Sequence, residues 1–78
     1  MASRDKYGAA LLTDIGYIKI ECNTRSEANR IRHVVAKWYR KGGVRDWKTV
    51  EALGKLALER PGIPAEYIIT EYIKSKEL

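Results

Sequence analysis

Between Thr24 and Gly43 the chain carries a helix whose two ends are both written into the sequence. Thr24-Arg25-Ser26-Glu27 fits a capping box, in which the Thr hydroxyl and the Glu carboxylate each take up an amide that the first turn would leave unpaired. Gly42-Gly43 closes the other end, because glycine reaches the positive φ that a helix stop requires. Ala28, Ile31, Val34, Val35 and Trp38 recur at spacings of three and four. On a wheel of about 100° per residue they fill an arc of about 40–160°, which Tyr39 extends to about 180°. A rod with one apolar stripe has to be covered on that side. With 78 residues available, a single small core must do the covering.

The flanking segments supply the cover. Ile15 to Cys22 alternates, with Ile15, Tyr17, Lys19 and Glu21 on one side and Gly16, Ile18, Ile20 and Cys22 on the other. That period of two, rich in β-branched and aromatic residues, reads as a half-buried strand. Tyr7 to Thr13 is ambiguous between a short strand and a helical turn. If it is a strand, Thr13-Asp14 turns the chain and residues 7–22 form a hairpin. From Asp46 to Arg60, Trp47, Val50, Leu53, Leu56 and Ala57 share a helical side, although Val44 to Val50 also reads as a strand. Pro61-Gly62 stops that segment, and Pro64 suits the first position of a last helix that turns Ala65, Ile68, Ile69, Tyr72 and Ile73 inward.

The expected fold is therefore α+β: a small antiparallel β element (strand about 15–22, in a hairpin with 7–13 if that segment is a strand) against three amphipathic helices, about 25–41, 47–60 and 64–76. Residues 1–78 form one domain with a polar, frayed start at 1–6. No internal repeat or low-complexity stretch interrupts it. Because an isolated two-stranded hairpin is marginal in water, a second copy completing the sheet across a two-fold axis is also expected, making a homodimer.

Charge is distributed unevenly. Residues 24–48 hold eight basic groups against two acidic ones, while the rest of the chain holds seven against eight. On the helical wheel Arg30, Lys37, Lys41, His33 and Arg40 form one stripe opposite the apolar arc, and Arg25 and Arg32 lie together on its other flank. Arg45 follows the Gly-Gly turn. Glu27 is occupied by its cap. A surface that only confers solubility mixes its signs; a one-signed face is the footprint of a protein that follows phosphates. The expected contacts are Arg25, Arg30, Arg32, His33, Lys37, Arg40, Lys41 and Arg45. Six neutralised phosphates would give a log–log salt slope of about −5. The expected function is sequence-tolerant nucleic-acid binding, with DNA as the partner, and nothing identifies base-reading residues. The alternative is an accessory or inhibitory module that docks the same face on an acidic protein.

Other classes are poorly served. One Cys leaves no internal disulfide, and one His leaves few metal sites. There is no phosphate-binding loop and no nucleophile elbow. Asp14 and Glu21 are separated by an odd number of positions, so one strand would turn them to opposite faces. No enzyme, cofactor or metal is implied. No apolar run approaches the roughly 18 residues of a membrane span, and no signal peptide opens the chain, so a cytoplasmic protein is expected. Cys22 on the Ile18/Ile20 face reads as a buried, inert thiol, and Trp38 and Trp47 read as core. Tyr17 and Lys19 share a strand face of the kind that stacks bases in single-strand binders. The absence of Gln and the presence of only two Asn match compositions favoured in hot environments, and small basic domains of this kind serve viral, plasmid and chromosomal accessory roles.

The segment GKLALERPGIPAEYIITEYI resembles the two helices of ribbon-helix-helix DNA-binding domains. The resemblance implies an intermolecular strand just ahead of the first helix, that is at residues 43–48. Val44-Arg45-Asp46-Trp47-Lys48 makes a poor ribbon, and the good strand lies one long helix too early.

Overall fold

The alternating segment and the ambiguous one ahead of it both become strands. In a computed structural model, which describes residues 7–76, β1 (Tyr7–Thr13) pairs antiparallel with β2 (Gly16–Cys22), from Tyr7 opposite Cys22 to Thr13 opposite Gly16. The ambiguity over residues 7–13 thus resolves to a strand, and the frayed start expected at 1–6 lies outside the described residues. Asp14 and Ile15 make the turn without positive φ, which excludes the mirror-image hairpin turns; Gly16 takes the positive value, 102°. The Thr13 hydroxyl ties the turn together, donating to the Gly16 carbonyl at 2.6 Å and accepting from the Ile15 amide at 3.3 Å. Ala9, Leu11, Ile20 and Cys22 are buried on one face, while Ala10, Leu12, Tyr17, Lys19 and Glu21 are exposed on the other. Cys22 is the buried free thiol that the alternation implies.

Three helices follow: α1 (Arg25–Arg40), α2 (Trp47–Glu59) and α3 (Ala65–Lys76). At the start of α1 the Glu27 amide donates to Thr24 Oγ1 at 3.1 Å, and Glu27 Oε1 accepts from the Asn23 amide at 2.8 Å. The box is thus formed, with its carboxylate on the amide one residue ahead of the cap. At the other end the Gly43 amide reaches the Trp38 carbonyl (2.9 Å) and the Gly42 amide the Tyr39 carbonyl (3.0 Å), with Gly42 at φ 84°. This is a Schellman stop. Asp46 caps α2 by accepting from the Thr49 amide at 3.2 Å. Residues 43–46 are irregular and α2 begins at Trp47. That removes the strand reading of 44–50 and, within the single chain, the ribbon that the ribbon-helix-helix resemblance requires.

The hairpin is fastened to α2 through Asp14. Its amide donates to the Arg45 carbonyl at 2.9 Å, and its Oδ1 accepts from the Trp47 amide at 3.0 Å. A carboxylate at that point also meets the positive end of the α2 dipole.

The apolar arc of α1 divides between two clusters. Ala28, Ile31 and Val35 meet Ala9, Leu11, Ile20, Cys22 and Val50 beneath the sheet. Val34 meets Leu53, Ala57, Ala65, Ile68 and Ile69 between the helices. Trp38 and Trp47 are half-buried rather than central. Ile73, expected inward, is 40% exposed; it borders a shallow apolar cleft with Trp38, Val44 and Tyr72. Gly54 is buried because α2 crosses the sheet there: a Cβ on it would lie 2.3 Å from Ile20 Cδ1. Gly54→Val is expected to cost about 2–3 kcal/mol in urea unfolding through overpacking.

Candidate nucleic-acid interface

Helix α1 leaves one side to solvent. Arg25, Asn29, Arg32, His33, Ala36 and Arg40 are all exposed and occupy the continuous wheel arc of about 200–300°. From Arg25 to Arg40 the arc runs about 22 Å along the axis. Arg25 and Arg32 form one edge, with Tyr39 next along the same line. Arg45 continues that line, because its guanidinium carbon sits 4.7 Å from the centroid of the Tyr39 ring. His33 and Arg40 form the other edge, and Asn29 and Ala36 run between them. Arg32 Nη1 donates to Asn29 Oδ1 at 3.1 Å, which steadies the guanidinium without neutralising it. Among the described residues, no carboxylate lies within ion-pair distance of Arg25, Arg32, His33, Arg40 or Arg45.

Tyr39 links this edge to the sheet. Its hydroxyl donates to the Leu12 carbonyl. Partial burial raises its pKa, against the lowering pull of Arg45. The phenol therefore remains a donor throughout the neutral range and holds the platform on which Arg45 stacks.

The other three candidate cations are engaged by groups at the end of α2 and on α3, with Lys41 still exposed. Arg30 turns toward the end of α2, where its Nε donates to the Ala57 carbonyl (3.3 Å) and its Nη2 to the Arg60 carbonyl (2.7 Å). It thereby takes up the Ala57 carbonyl, which the last turn of the helix leaves unpaired, and joins the Ile63 amide (3.3 Å) on the Arg60 carbonyl. Lys41 pairs with Glu66 at 3.0 Å, and Lys37 approaches the same carboxylate at 4.0 Å. The expected Arg30/Lys37/Lys41 stripe is thus the seam between α1 and the other helices. The physical reason is its position on the wheel: these residues flank Val34, which is fully buried against α2 and α3. The three belong to the scaffold, and the open face contains Arg25, Arg32, His33, Arg40 and Arg45.

Glu66 is held below its ordinary pKa of 4.5, first by the hydrogen bond from Lys41 and then by the charges of Lys41 and Lys37, with its own desolvation opposing. A lowered carboxyl pKa means that the fold favours the ionised form. The contribution is in place above about pH 4.5 and disappears as pH falls through the lowered value. An NMR titration of the Glu66 side chain is expected to give a midpoint below that of Glu66 in the Lys41→Met variant.

Among the described residues no group of three or more His, Cys, Asp or Glu side chains is placed to hold a metal ion, and no helix is long and apolar enough to cross a membrane. No protein-family model matches the chain, and no curated protein or solved structure matches it either.

Proposed function

We propose that the chain binds nucleic acid, double-stranded DNA in the first instance, by laying the outer face of α1 against the phosphate backbone. The observation that carries this reading is the sign of that face. Along about four helical turns it presents arginines and a histidine with, among the described residues, no carboxylate paired to them, while Glu27 is used in the cap and Glu66 on the two lysines. Arginine suits the task because its planar fork can take a phosphate with two hydrogen bonds. The small or neutral residues Ala36 and Asn29 let the helix axis approach a groove closely. None of the contacts assigned here reads a base, so the binding is sequence-tolerant.

Four cations, Arg25, Arg32, Arg40 and Arg45, give an expected log–log salt slope of about −3.6, shallower than the slope of about −5 for six contacts. Fluorescence anisotropy with a random 20-base-pair duplex and with its single strands, from 50 to 300 mM salt, tests this. A duplex affinity falling with that slope supports the reading. Absence of binding to either probe at 50 mM salt overturns it in favour of an acidic protein partner for the same face. A second expectation follows from the seam: Glu66→Gln frees Lys37 and Lys41 on the side of α1 turned away from the phosphates, so the salt slope should stay that of wild type and DNA affinity should change by less than about threefold.

A further inference from the structure

The two edges of the hairpin are not equivalent. In an antiparallel pair, alternate residues turn both their N–H and C=O groups away from the partner strand. On β1 the outward set is marked by its contacts: the Leu12 carbonyl takes the Tyr39 hydroxyl, and two residues on, the Asp14 amide donates to the Arg45 carbonyl. That edge is therefore partly covered by the end of α1 and the loop after it. Leu12 faces Tyr17, Ala10 faces Lys19 and Gly8 faces Glu21, so the outward set of β2 is Tyr17, Lys19 and Glu21. Among the described residues, no cap, loop or side-chain hydrogen bond reaches the backbone of these three. An open strand edge of this kind is a template for another strand.

We propose that the occupant is a second copy of this chain, joined β2 to β2 across a two-fold axis that passes beside Ile20. The charges of the strand select the register. Two-fold pairing through the outward set can be centred on Ile18, Lys19 or Ile20. Centring on Lys19 sets that lysine directly opposite itself, which destabilises a sheet. Centring on Ile18 pairs each Lys19 with a tyrosine and leaves both glutamates beyond the paired stretch. Centring on Ile20 places Lys19 of each copy opposite Glu21 of the other, giving two opposite-charge cross-strand pairs on the outer face, with Ile20 meeting its own mate on the inner face. Neither Lys19 nor Glu21 has an ion pair within the described chain; their hairpin partners are Ala10 and Gly8. The Lys19 stem rests across Gly8, where a Cβ would be 2.4 Å from its Cε, and as an exposed chain it is free to swing to the new strand. In this register Ile18 of the second copy comes opposite Cys22, beside a recess lined by Glu21, Cys22, Asn23, Glu27 and Leu58. Four paired strands also remove the weakness of a two-stranded sheet.

Sedimentation equilibrium between 5 and 500 µM tests the proposal with the intact chain. The wild type is expected at twice the chain mass. Lys19→Glu and Glu21→Lys, each setting two like pairs opposite one another, should each weaken the dimer about tenfold or more. The double exchange K19E/E21K should return it to within about threefold of wild type. Mixing the two single variants should likewise form a heterodimer, since one copy then carries both acids and the other both bases. Circular dichroism melts confirm that each variant is folded. A wild type that stays monomeric at 500 µM overturns the proposal. So do single variants as dimeric as wild type, or a mixture of folded single variants that does not associate.

Discussion

Gly43→Ala is expected to lower stability by about 2–4 kcal/mol, a fall in melting temperature of about 10–25 °C for a chain of this size. The cause is a collision with an aromatic ring, since Gly43 does not adopt the positive φ that Gly16, Gly42 and Gly62 do. A Cβ at this position would lie 2.2 Å from Cε2 and 2.4 Å from Cδ2 of Trp38. The ring is in no position to yield. Its Nε1 donates to the Val44 carbonyl at 2.7 Å, and it makes a T-shaped contact with Tyr72, with centroids 5.9 Å apart and planes at 82°. Opening space for one methyl therefore strains the indole–carbonyl bond, the Gly43 amide bond to the Trp38 carbonyl and the Trp38–Tyr72 contact together. Gly42→Ala, which meets nothing within 4 Å but sits at φ 84°, should cost only about 1–2 kcal/mol, from backbone strain alone. Thermal melts of the two variants separate the causes: steric at 43, conformational at 42.

Much of the architecture was legible because it rests on local chemistry. Thr24 and Glu27 mark the start of α1 by side-chain reach, Gly42 its end by backbone freedom, and the alternation from Gly16 to Cys22 buries the thiol without reference to any other element. Asp46, left between strand and helix by the sequence pattern, caps α2 by accepting from both the amide and the hydroxyl of Thr49. What remained hidden depends on which neighbour each face meets. A helical wheel gives the angle of Arg30 but not the fact that the end of α2 lies there and offers it the Ala57 and Arg60 carbonyls. Nor does it show that Glu66, far along the chain, is brought over Lys37 and Lys41. Residues within about 60° of an apolar arc are boundary positions, and long cationic side chains there can lie along packed surface while their heads find partners. Gly54 and Asp14 were silent for the same reason: one marks the crossing of α2 over Ile20, the other a tether between the hairpin turn and α2.

The division of the cations into scaffold and open face has a direct consequence. Replacing Arg25, Arg32 and Arg40 together with Gln is expected to weaken duplex binding about 100- to 500-fold near 0.1 M salt and to reduce the magnitude of the salt slope by about 3, while leaving the melting temperature within a few degrees. These side chains are exposed and, among the described residues, support no other element; the hydrogen bond given up there is the Asn29 contact of Arg32, made within α1. Arg30→Met should behave in the opposite way. It retains the apolar stem but removes the donor to the Ala57 carbonyl and leaves the Arg60 carbonyl with the Ile63 amide alone, costing about 1–3 kcal/mol of stability, and leaves the affinity of the folded fraction and its salt slope unchanged. Anisotropy titrations paired with urea unfolding of the two variants provide the test. If Arg30→Met reduced the slope as each open-face arginine does, the phosphates would have to reach the seam side of α1, and the face assigned here would be the wrong one. If the triple variant bound as tightly as wild type, the one-signed surface of α1 would be no more than a solvated flank.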